Sequence, residues 1–302
     1  MEVTPNMPPR RAAAFFRLIR PEQSVKNAFI WLPLFFGHRL SDLHAVVYTA
    51  LAFVVFSMTA GAVYALNDIR DMEDDRAHPT NSARPLASGE LAVQDALAAA
   101  GILTLAAFVV SAYFLPMGFL EVLAGYVALN IAYSFYLKHL AIIDVVCVSV
   151  GFVLRVFAGG IVADVPVTHW IVIMTFLLAM LLALGKRRDG LLLAAKGHKG
   201  RKALEGYNIE FVSYAMVVMT SVVIVGYLLY TTSPEVIKRH GTDNLYLTAI
   251  WVVLGVLRYM QIAFVEQRSG EPTGILYKDR FIWAVIGGWL LTFYWLFHTA
   301  GY

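Results

Sequence analysis

The chain has 302 residues, of which 59% are hydrophobic and 15% charged, with a net charge of +3. A soluble domain is about half apolar and about a quarter charged, and the mean hydropathy here is +0.65. These values exclude a disordered chain, a disulfide scaffold and a nucleic-acid-binding domain, and they indicate a membrane protein. The single cysteine, Cys147, excludes an internal disulfide and a cysteine-based metal site.

The chain begins with a basic segment that has no cleavable signal pattern, in which Ala12–Ile19 is compatible with a short amphipathic helix at the membrane surface. Nine apolar stretches follow, and a membrane helix needs about 20 such residues. We therefore predict an all-α polytopic membrane protein with about nine transmembrane helices, an N-terminal segment over 1–24 and a single transmembrane catalytic domain over 25–302. The stretches are Val25–Gly37, Ala45–Leu66, Leu91–Leu115, Gly118–Leu137, Ala141–Val162, His169–Leu184, Phe211–Thr231, Leu245–Phe264 and Phe281–Thr299.

The distribution of cations predicts the orientation in the membrane. With nine helices and a cytoplasmic N-terminus, 19 of the 24 lysines and arginines fall on the cytoplasmic side and three on the other side. Positive residues are enriched in cytoplasmic loops. We therefore expect a multi-pass protein of the cell (plasma) membrane whose active site faces the cytoplasm, where the long polar loops after the second and sixth stretches lie.

An acidic stripe is expected where the second stretch leaves the membrane. If the helix continues, Asp68, Asp71 and Asp75 fall within about 60° of one another, with Tyr64 on the same face and Asn67 beside them. Oxygen ligands at this spacing suit Mg²⁺, which commonly combines one or two carboxylates with substrate phosphates. The stripe thus predicts catalytic carboxylates that hold a Mg²⁺–diphosphate through these aspartates and Asn67. A solvated charge patch and the acidic vestibule of a channel are the alternatives.

Several cations accompany these acids and suggest a second anionic substrate. An arginine within an apolar stretch is costly and usually has a polar partner, and adjacent cations suit phosphate groups. For each of these cations there is an alternative to substrate binding: it is part of the general excess of positive charge in cytoplasmic loops, or it belongs to a structural ion pair. The candidate substrate-binding cations are Lys26, Arg84, Lys138, Arg155, Lys186, Arg187 and Arg188.

Two motifs resemble the signature of the UbiA superfamily of intramembrane prenyltransferases. The first is Asn67-Asp68-x-x-Asp71-x-x-x-Asp75, and it is followed by Arg84-Pro-Leu-x-x-Gly89. Tyr133-Ser134, Lys138 and Asp144 resemble the next stretch of that family. The resemblance implies a Mg²⁺-diphosphate bound in a helical bundle, with Tyr64, Arg84, Tyr133 and Lys138 among the substrate-binding residues.

The chain departs from the aromatic prenyltransferases of this superfamily after its sixth stretch. Those enzymes carry a second aspartate motif, whereas this chain has Lys186-Arg187-Arg188-Asp189. Together with Arg20-Pro21-x-Gln23-x-x-Lys26-Asn27, this run resembles the decaprenyl-phosphate phosphoribosyltransferase branch of mycolate-bearing actinobacteria. Ser24 departs from that motif, in which a tryptophan is expected.

The branch implies phosphoribosyl diphosphate and polyprenyl phosphate as substrates, membrane lipid as surroundings, no nucleic-acid partner, and a product used for arabinogalactan and lipoarabinomannan. The alternative is an aromatic-acceptor polyprenyltransferase of the 4-hydroxybenzoate type. Whether the chain forms a homo-oligomer is left open, as are the preferred prenyl length and the number of Mg²⁺ ions.

Overall fold

The computed structural model describes residues 8–77, 81–197 and 204–299, and this part of the chain contains helices and no strands. Within these described residues, 3-10 helices cover Pro21–Trp31, Asn81–Ala83, Leu137–His139 and Asn244–Thr248. The α-helices are α1 (Pro8–Ile19), α2 (Leu32–Phe36), α3 (Leu43–Arg70), α4 (Met72–Arg76), α5 (Val93–Phe114), α6 (Met117–Phe135), α7 (Ile143–Val162), α8 (His169–Ala195), α9 (Ile209–Thr232), α10 (Pro234–His240), α11 (Ala249–Phe264), α12 (Pro272–Lys278) and α13 (Arg280–Thr299).

Eight helical segments of the described chain are long and apolar enough to cross a membrane, and they correspond to the second to ninth predicted stretches. The first predicted stretch, 25–37, has a different form. It is divided between the 3-10 helix Pro21–Trp31 and the five-residue α2, whose second residue is Pro33. Proline lacks a backbone N–H, so it is tolerated in the first turn of a helix, where that donor would have no partner. The prediction of an all-helical membrane protein is confirmed.

The chain divides into two compact units. Unit 1 runs to Lys138 and includes Leu154–Val167, while unit 2 comprises His139–Val153 and the chain from Thr168 onward. Helix α7 therefore contributes its first part to unit 2 and its last part to unit 1. The boundary expected at residue 24 stays a prediction.

In unit 1, the amphipathic helix α1 packs on small residues of α3 and α5. Ala14 and Leu18 are fully buried in a cluster with Ala62 and Ala65 of α3 and Ala96 of α5. Small side chains allow helix backbones to approach closely in membrane proteins. Two ion pairs at the surface add to this packing: Arg11 with Asp95, at 3.3 Å, and Arg17 with Glu90. The predicted amphipathic segment is thus part of a longer helix that is anchored to the unit.

One glycine determines how the first 3-10 helix meets α7 in unit 1. A Cβ atom at Gly159 would lie 2.0 Å from the carbonyl oxygen of Ile30. Real Cβ atoms essentially never approach that closely, so this position requires glycine. The contact holds the 3-10 helix, which carries Lys26 and Asn27, against the final part of α7.

The core of unit 2 is formed by α8, α9 and α11. Leu181, Met216 and Ile262 are fully buried at its centre, and Tyr207 and Tyr259 belong to the same cluster. Tyr259 donates to the carbonyl of Leu182 at 3.2 Å. This packing ties α11 to the part of α8 that precedes the three adjacent cations.

Candidate functional site

The acidic residues lie at the end of α3 and in the short helix after it. α3 ends at Arg70, so the continuous helix on which the stripe geometry was conditional is interrupted: the backbone of Asp71 leaves the helical region and α4 begins at the next residue. Backbone bonding nevertheless continues: Asp71 donates to Asn67 at 2.9 Å and Asp75 donates to Asp71 at 2.8 Å. The register of the acidic stripe is therefore largely preserved across the break.

Arg84 joins the first and last members of the stripe. Its Nη1 contacts Oδ1 of Asp68 at 3.2 Å and also donates to Oδ2 of Asp75. Both carboxylates are buried, at 2% and 1% exposed. Asn81 donates a further hydrogen bond to Asp75 at 2.9 Å. The loop motif that begins at Arg84 thus folds back onto the acidic stripe, whereas the sequence suggested Arg84 only as a ligand of a substrate phosphate.

Arg20 is a second cation at Asp68, and it was not among the predicted site residues. It lies between α1 and the first 3-10 helix, has a left-handed backbone with a φ of 51°, and donates to Oδ1 of Asp68. Its guanidinium also lies 5.5 Å from the ring centroid of Tyr64. Arg20 precedes Pro21, and proline disfavours helical backbone at the residue before it. The sequence therefore indicated a helix end here, but not which side chain it would direct inward.

The motif at the end of α6 meets the same stripe. Lys138 lies 2.5 Å from Oδ1 of Asp71, and Ser134 donates to the side-chain oxygen of Asn67. Tyr133, also predicted as a substrate ligand, is half-buried beside Ser134. Two motifs 67 residues apart are thus brought into direct contact, which the sequence suggested only through the family resemblance.

The remaining predicted cations of unit 1 lie deeper in the fold. Lys26 is 5.8 Å from the ring centroid of Tyr64. Arg155 is 4% exposed and donates from Nε to Asn27 at 2.7 Å and from Nη2 to Tyr126 at 3.1 Å. A buried arginine requires such polar partners. Arg155 therefore connects α7, α6 and the first 3-10 helix.

The residues of the stripe are compatible with a divalent metal ion. Among the described residues no three His, Cys, Asp or Glu side chains are grouped as a ready-made metal site. However, Mg²⁺ bound with substrate phosphates needs only one or two protein carboxylates. Oδ2 of Asp68 is buried and accepts no hydrogen bond from the described residues, and a buried oxygen without a partner is costly. A metal ligand role would satisfy it.

In unit 2 the three adjacent cations of α8 have three different surroundings. Lys186 is exposed, whereas Arg187 contacts the fully buried Asp144 at 2.6 Å. Arg188 is 7% exposed and donates to the carbonyl of Ala263 at 2.6 Å and to Ser213 at 3.1 Å. Its carbonyl partner is the penultimate residue of α11. Cations there satisfy carbonyls that lack helical partners.

Comparison with known proteins agrees with the motifs. The UbiA prenyltransferase family matches residues 28–189. A decaprenyl-phosphate phosphoribosyltransferase of Mycolicibacterium smegmatis is 32% identical, with 96% of this chain and 94% of that protein covered. The corresponding protein of Corynebacterium glutamicum is 32% identical, with 88% of this chain and 80% of that protein covered. A 4-hydroxybenzoate octaprenyltransferase of Francisella tularensis is 28% identical over 52% of this chain and 56% of its own length.

Solved structures support the fold. A UbiA homologue from Archaeoglobus fulgidus, bound to DMAPP and Mg²⁺, superposes with a TM-score of 0.67 at 19% identity, covering 90% of this chain and 99% of that one. The expected intramembrane prenyltransferase fold is therefore confirmed. The family match over more than half of the chain and the relatives that span nearly all of it lead to one conclusion: this chain belongs to the UbiA prenyltransferase family.

Proposed function

We propose that this protein transfers the 5-phosphoribosyl group of phosphoribosyl diphosphate to a polyprenyl phosphate of the decaprenyl type and releases diphosphate. The observation that carries the proposal is the acidic stripe of unit 1, in which Asp68, Asp71 and Asp75 each contact a cation. Relatives that match nearly the whole chain are named for this reaction. The product, a lipid-linked phosphoribose, is the kind of precursor that the family resemblance connects with arabinogalactan.

The carboxylates and Asn67 are the residues that would hold Mg²⁺. When bound, Mg²⁺ neutralises the charge that develops on the leaving diphosphate. Asp68 supplies a buried oxygen without a hydrogen-bond partner among the described residues. Asp71 has the most solvent-exposed side chain of the three aspartates. A structurally related homologue was solved with Mg²⁺ and DMAPP, which supports a divalent metal as cofactor.

The cations around the stripe would position the donor. Arg20, Arg84 and Lys138 contact carboxylates in this structure. A planar guanidinium binds phosphate oxygens as readily as carboxylate oxygens. We infer that these side chains exchange one anionic partner for another when the diphosphate binds. Tyr64, Lys26, Tyr133 and Arg155 complete the proposed substrate-binding set of unit 1.

The acceptor needs no strong base. The second pKa of a phosphate monoester is about 6, so the oxygen of a polyprenyl phosphate is ionised near neutral pH. We infer that it attacks C1 of the ribose from the face opposite the leaving diphosphate. The protein then has to orient the charged groups of the two substrates, and no side chain has to remove a proton from the acceptor.

In unit 2, Lys186 and Arg187 are the proposed ligands of a phosphate group. Lys186 is exposed, and the side chain of Arg187 keeps 11% of its surface exposed beside Asp144. Arg188 also belongs to the predicted binding set. We assign it to the scaffold instead, because its guanidinium bonds to Ala263 and Ser213 and lies 4.3 Å from the ring centroid of Phe264.

The orientation remains part of the proposal. We infer that the N-terminus and the substrate-binding residues face the cytoplasm across the cell membrane, because the cations of the chain are concentrated on that side. Lys186→Cys, introduced into a Cys147→Ala chain, tests this in inside-out and right-side-out vesicles. Labelling by a membrane-impermeant reagent in right-side-out vesicles would contradict the proposed orientation.

One assay tests the reaction. The purified protein in lipid nanodiscs receives labelled phosphoribosyl diphosphate, Mg²⁺ and decaprenyl phosphate, and a parallel sample receives 4-hydroxybenzoate with a prenyl diphosphate. We expect label in the lipid fraction and Mg²⁺-dependent diphosphate release in the first sample only. Prenylation of 4-hydroxybenzoate without transfer of ribose phosphate would favour the aromatic prenyltransferase instead.

A further inference from the structure

A chain of short hydrogen bonds in unit 2 ends on Arg187. Tyr207, in the turn before α9, donates from its hydroxyl to Oδ1 of Asp144 at 2.5 Å. The other oxygen of Asp144, Oδ2, contacts Nε of Arg187 at 2.6 Å. Each oxygen of this fully buried carboxylate therefore has a different donor, and 63 and 43 residues separate these donors from Asp144 along the chain.

The hydroxyl of Tyr207 is itself held in place. The backbone N–H of Ile142 donates to it at 2.6 Å, so the hydroxyl accepts one hydrogen bond and donates another. Burial, and then the contact with Asp144, raise the pKa of Tyr207 above its ordinary value. The phenol therefore stays protonated at physiological pH and can serve only as the donor toward Asp144.

The backbone at Ile142 is strained. Its φ is 72°, a value that a β-branched residue rarely adopts. Such conformations persist where the surroundings determine them strongly, and they concentrate at functional sites. Here the surroundings include the hydroxyl of Tyr207, which engages the N–H of Ile142 immediately before α7 begins.

We propose that Tyr207 is a positioning residue for the transfer reaction: acting through Asp144, it fixes the guanidinium plane of Arg187 so that this cation can bind a phosphate group of the substrate. The inference rests on the proposed function, since it assigns a reaction role to Arg187. The bond from Nε determines the plane of the group, because the guanidinium is rigid and planar.

The proposal makes a specific kinetic prediction. Without the hydroxyl, Asp144 loses one of its two anchors, and Arg187 keeps its charge but loses its fixed orientation. Weaker binding of substrate and transition state alike raises KM and leaves kcat nearly unchanged. We therefore expect Tyr207→Phe to raise the KM of one of the two substrates about tenfold, with kcat within about twofold of the wild type.

A double-mutant cycle tests whether Tyr207 acts through Arg187. The variants are Tyr207→Phe, Arg187→Gln and their combination, all assayed in nanodiscs with phosphoribosyl diphosphate and decaprenyl phosphate. In the Arg187→Gln background, Tyr207→Phe should change KM less than twofold, because the residue it positions is gone. Tyr214→Phe is the matched control, because Tyr214 is exposed on α9 and should leave KM unchanged.

The outcomes separate the two proposals. An equal KM increase in both backgrounds, or an unchanged KM in Tyr207→Phe, would overturn the positioning role while the proposed function stands. A wild-type protein that transfers no ribose phosphate contradicts the proposed function itself. If Tyr207→Phe fails to fold, Asp144→Asn replaces it. The rise in thermal midpoint on adding phosphoribosyl diphosphate is then a second measure of binding. A folded variant that shows the same rise as the wild type would overturn the inference.

Discussion

Arg20 donates to the buried carboxylate of Asp68, 48 residues further along the chain. This ion pair joins the end of the amphipathic helix α1 to the acidic stripe. Asp68 also contacts Arg84 at 3.2 Å, so two arginines share one carboxylate. The ion pair thereby connects the end of α1 directly to the candidate catalytic residues of unit 1.

The first prediction concerns the backbone of Arg20. Arg20→Gly and Arg20→Ala both remove the ion pair, but only glycine adopts a φ of 51° without strain. The left-handed region costs other residues roughly 1–2 kcal/mol. We expect both variants to lose transfer activity equally, with Arg20→Gly unfolding at a higher temperature than Arg20→Ala in detergent. Equal midpoints would contradict the strain at this position.

The second prediction concerns the metal ligands. Asp68→Asn keeps the size of the side chain but removes the charge that attracts Mg²⁺ and is balanced by two arginines. We expect kcat/KM to fall by about a hundredfold or more, because metal stabilisation of a leaving group is worth several kcal/mol.

The control for this variant is Glu73→Gln. Glu73 is exposed on α4, outside the acidic stripe, so its substitution should change the kinetics less than twofold. The Mg²⁺ concentration that gives half-maximal activity is measured for each protein. A normal Mg²⁺ dependence in Asp68→Asn would rule out the assignment of Asp68 as a ligand.

The third prediction separates the adjacent cations of α8. Arg188→Met removes the bonds to Ala263 and Ser213 and leaves a buried carbonyl with one donor fewer. Such a loss costs about 1–3 kcal/mol, so we expect a lower thermal midpoint with an unchanged KM. Lys186→Met should leave the thermal midpoint unchanged and raise KM, because Lys186 is exposed and is a proposed phosphate ligand. A raised KM in a stable Arg188→Met protein would place Arg188 among the ligands.

The fourth prediction concerns acid stability. The Arg258 guanidinium, 2.6 Å from Asp279, lowers the pKa of that carboxyl to about 2, and Arg268 and the N–H of Ile282 contribute. The unfolded value is about 3.9. A carboxyl whose pKa is lowered by folding stabilises the protein fully above the unfolded pKa, and that stabilisation is lost as the pH falls toward 2.

The comparison variant is Asp279→Asn, which can still accept the hydrogen bond at the start of α13 but does not ionise. We expect thermal midpoints measured from pH 5 to pH 3 to decline more steeply for the wild type than for Asp279→Asn. Parallel curves would show that the ion pair with Arg258 contributes nothing that depends on pH in this range.

The sequence determined the class of protein because that information is local. The lengths of the apolar stretches predict the spans directly, and eight of the nine predicted stretches are helices of spanning length. The acidic stripe follows from a short spacing, and the Arg84 loop and the Lys138 motif were suggested by the family resemblance; in the structure both contact the stripe. The first stretch differs, because the sequence alone does not distinguish a 3-10 helix from an α-helix over Pro21–Trp31.

Only the tertiary structure decided which partner each charged side chain has. Lys186, Arg187 and Arg188 are neighbours in the sequence with the same charge, but successive helical residues point about 100° apart. One is therefore exposed, one contacts Asp144 and one bonds to the end of α11. Arg20 and Tyr207 likewise gain their roles from residues far away in the chain. Ion pairs and hydrogen bonds depend on distances in space, and those distances exist only after the helices have packed.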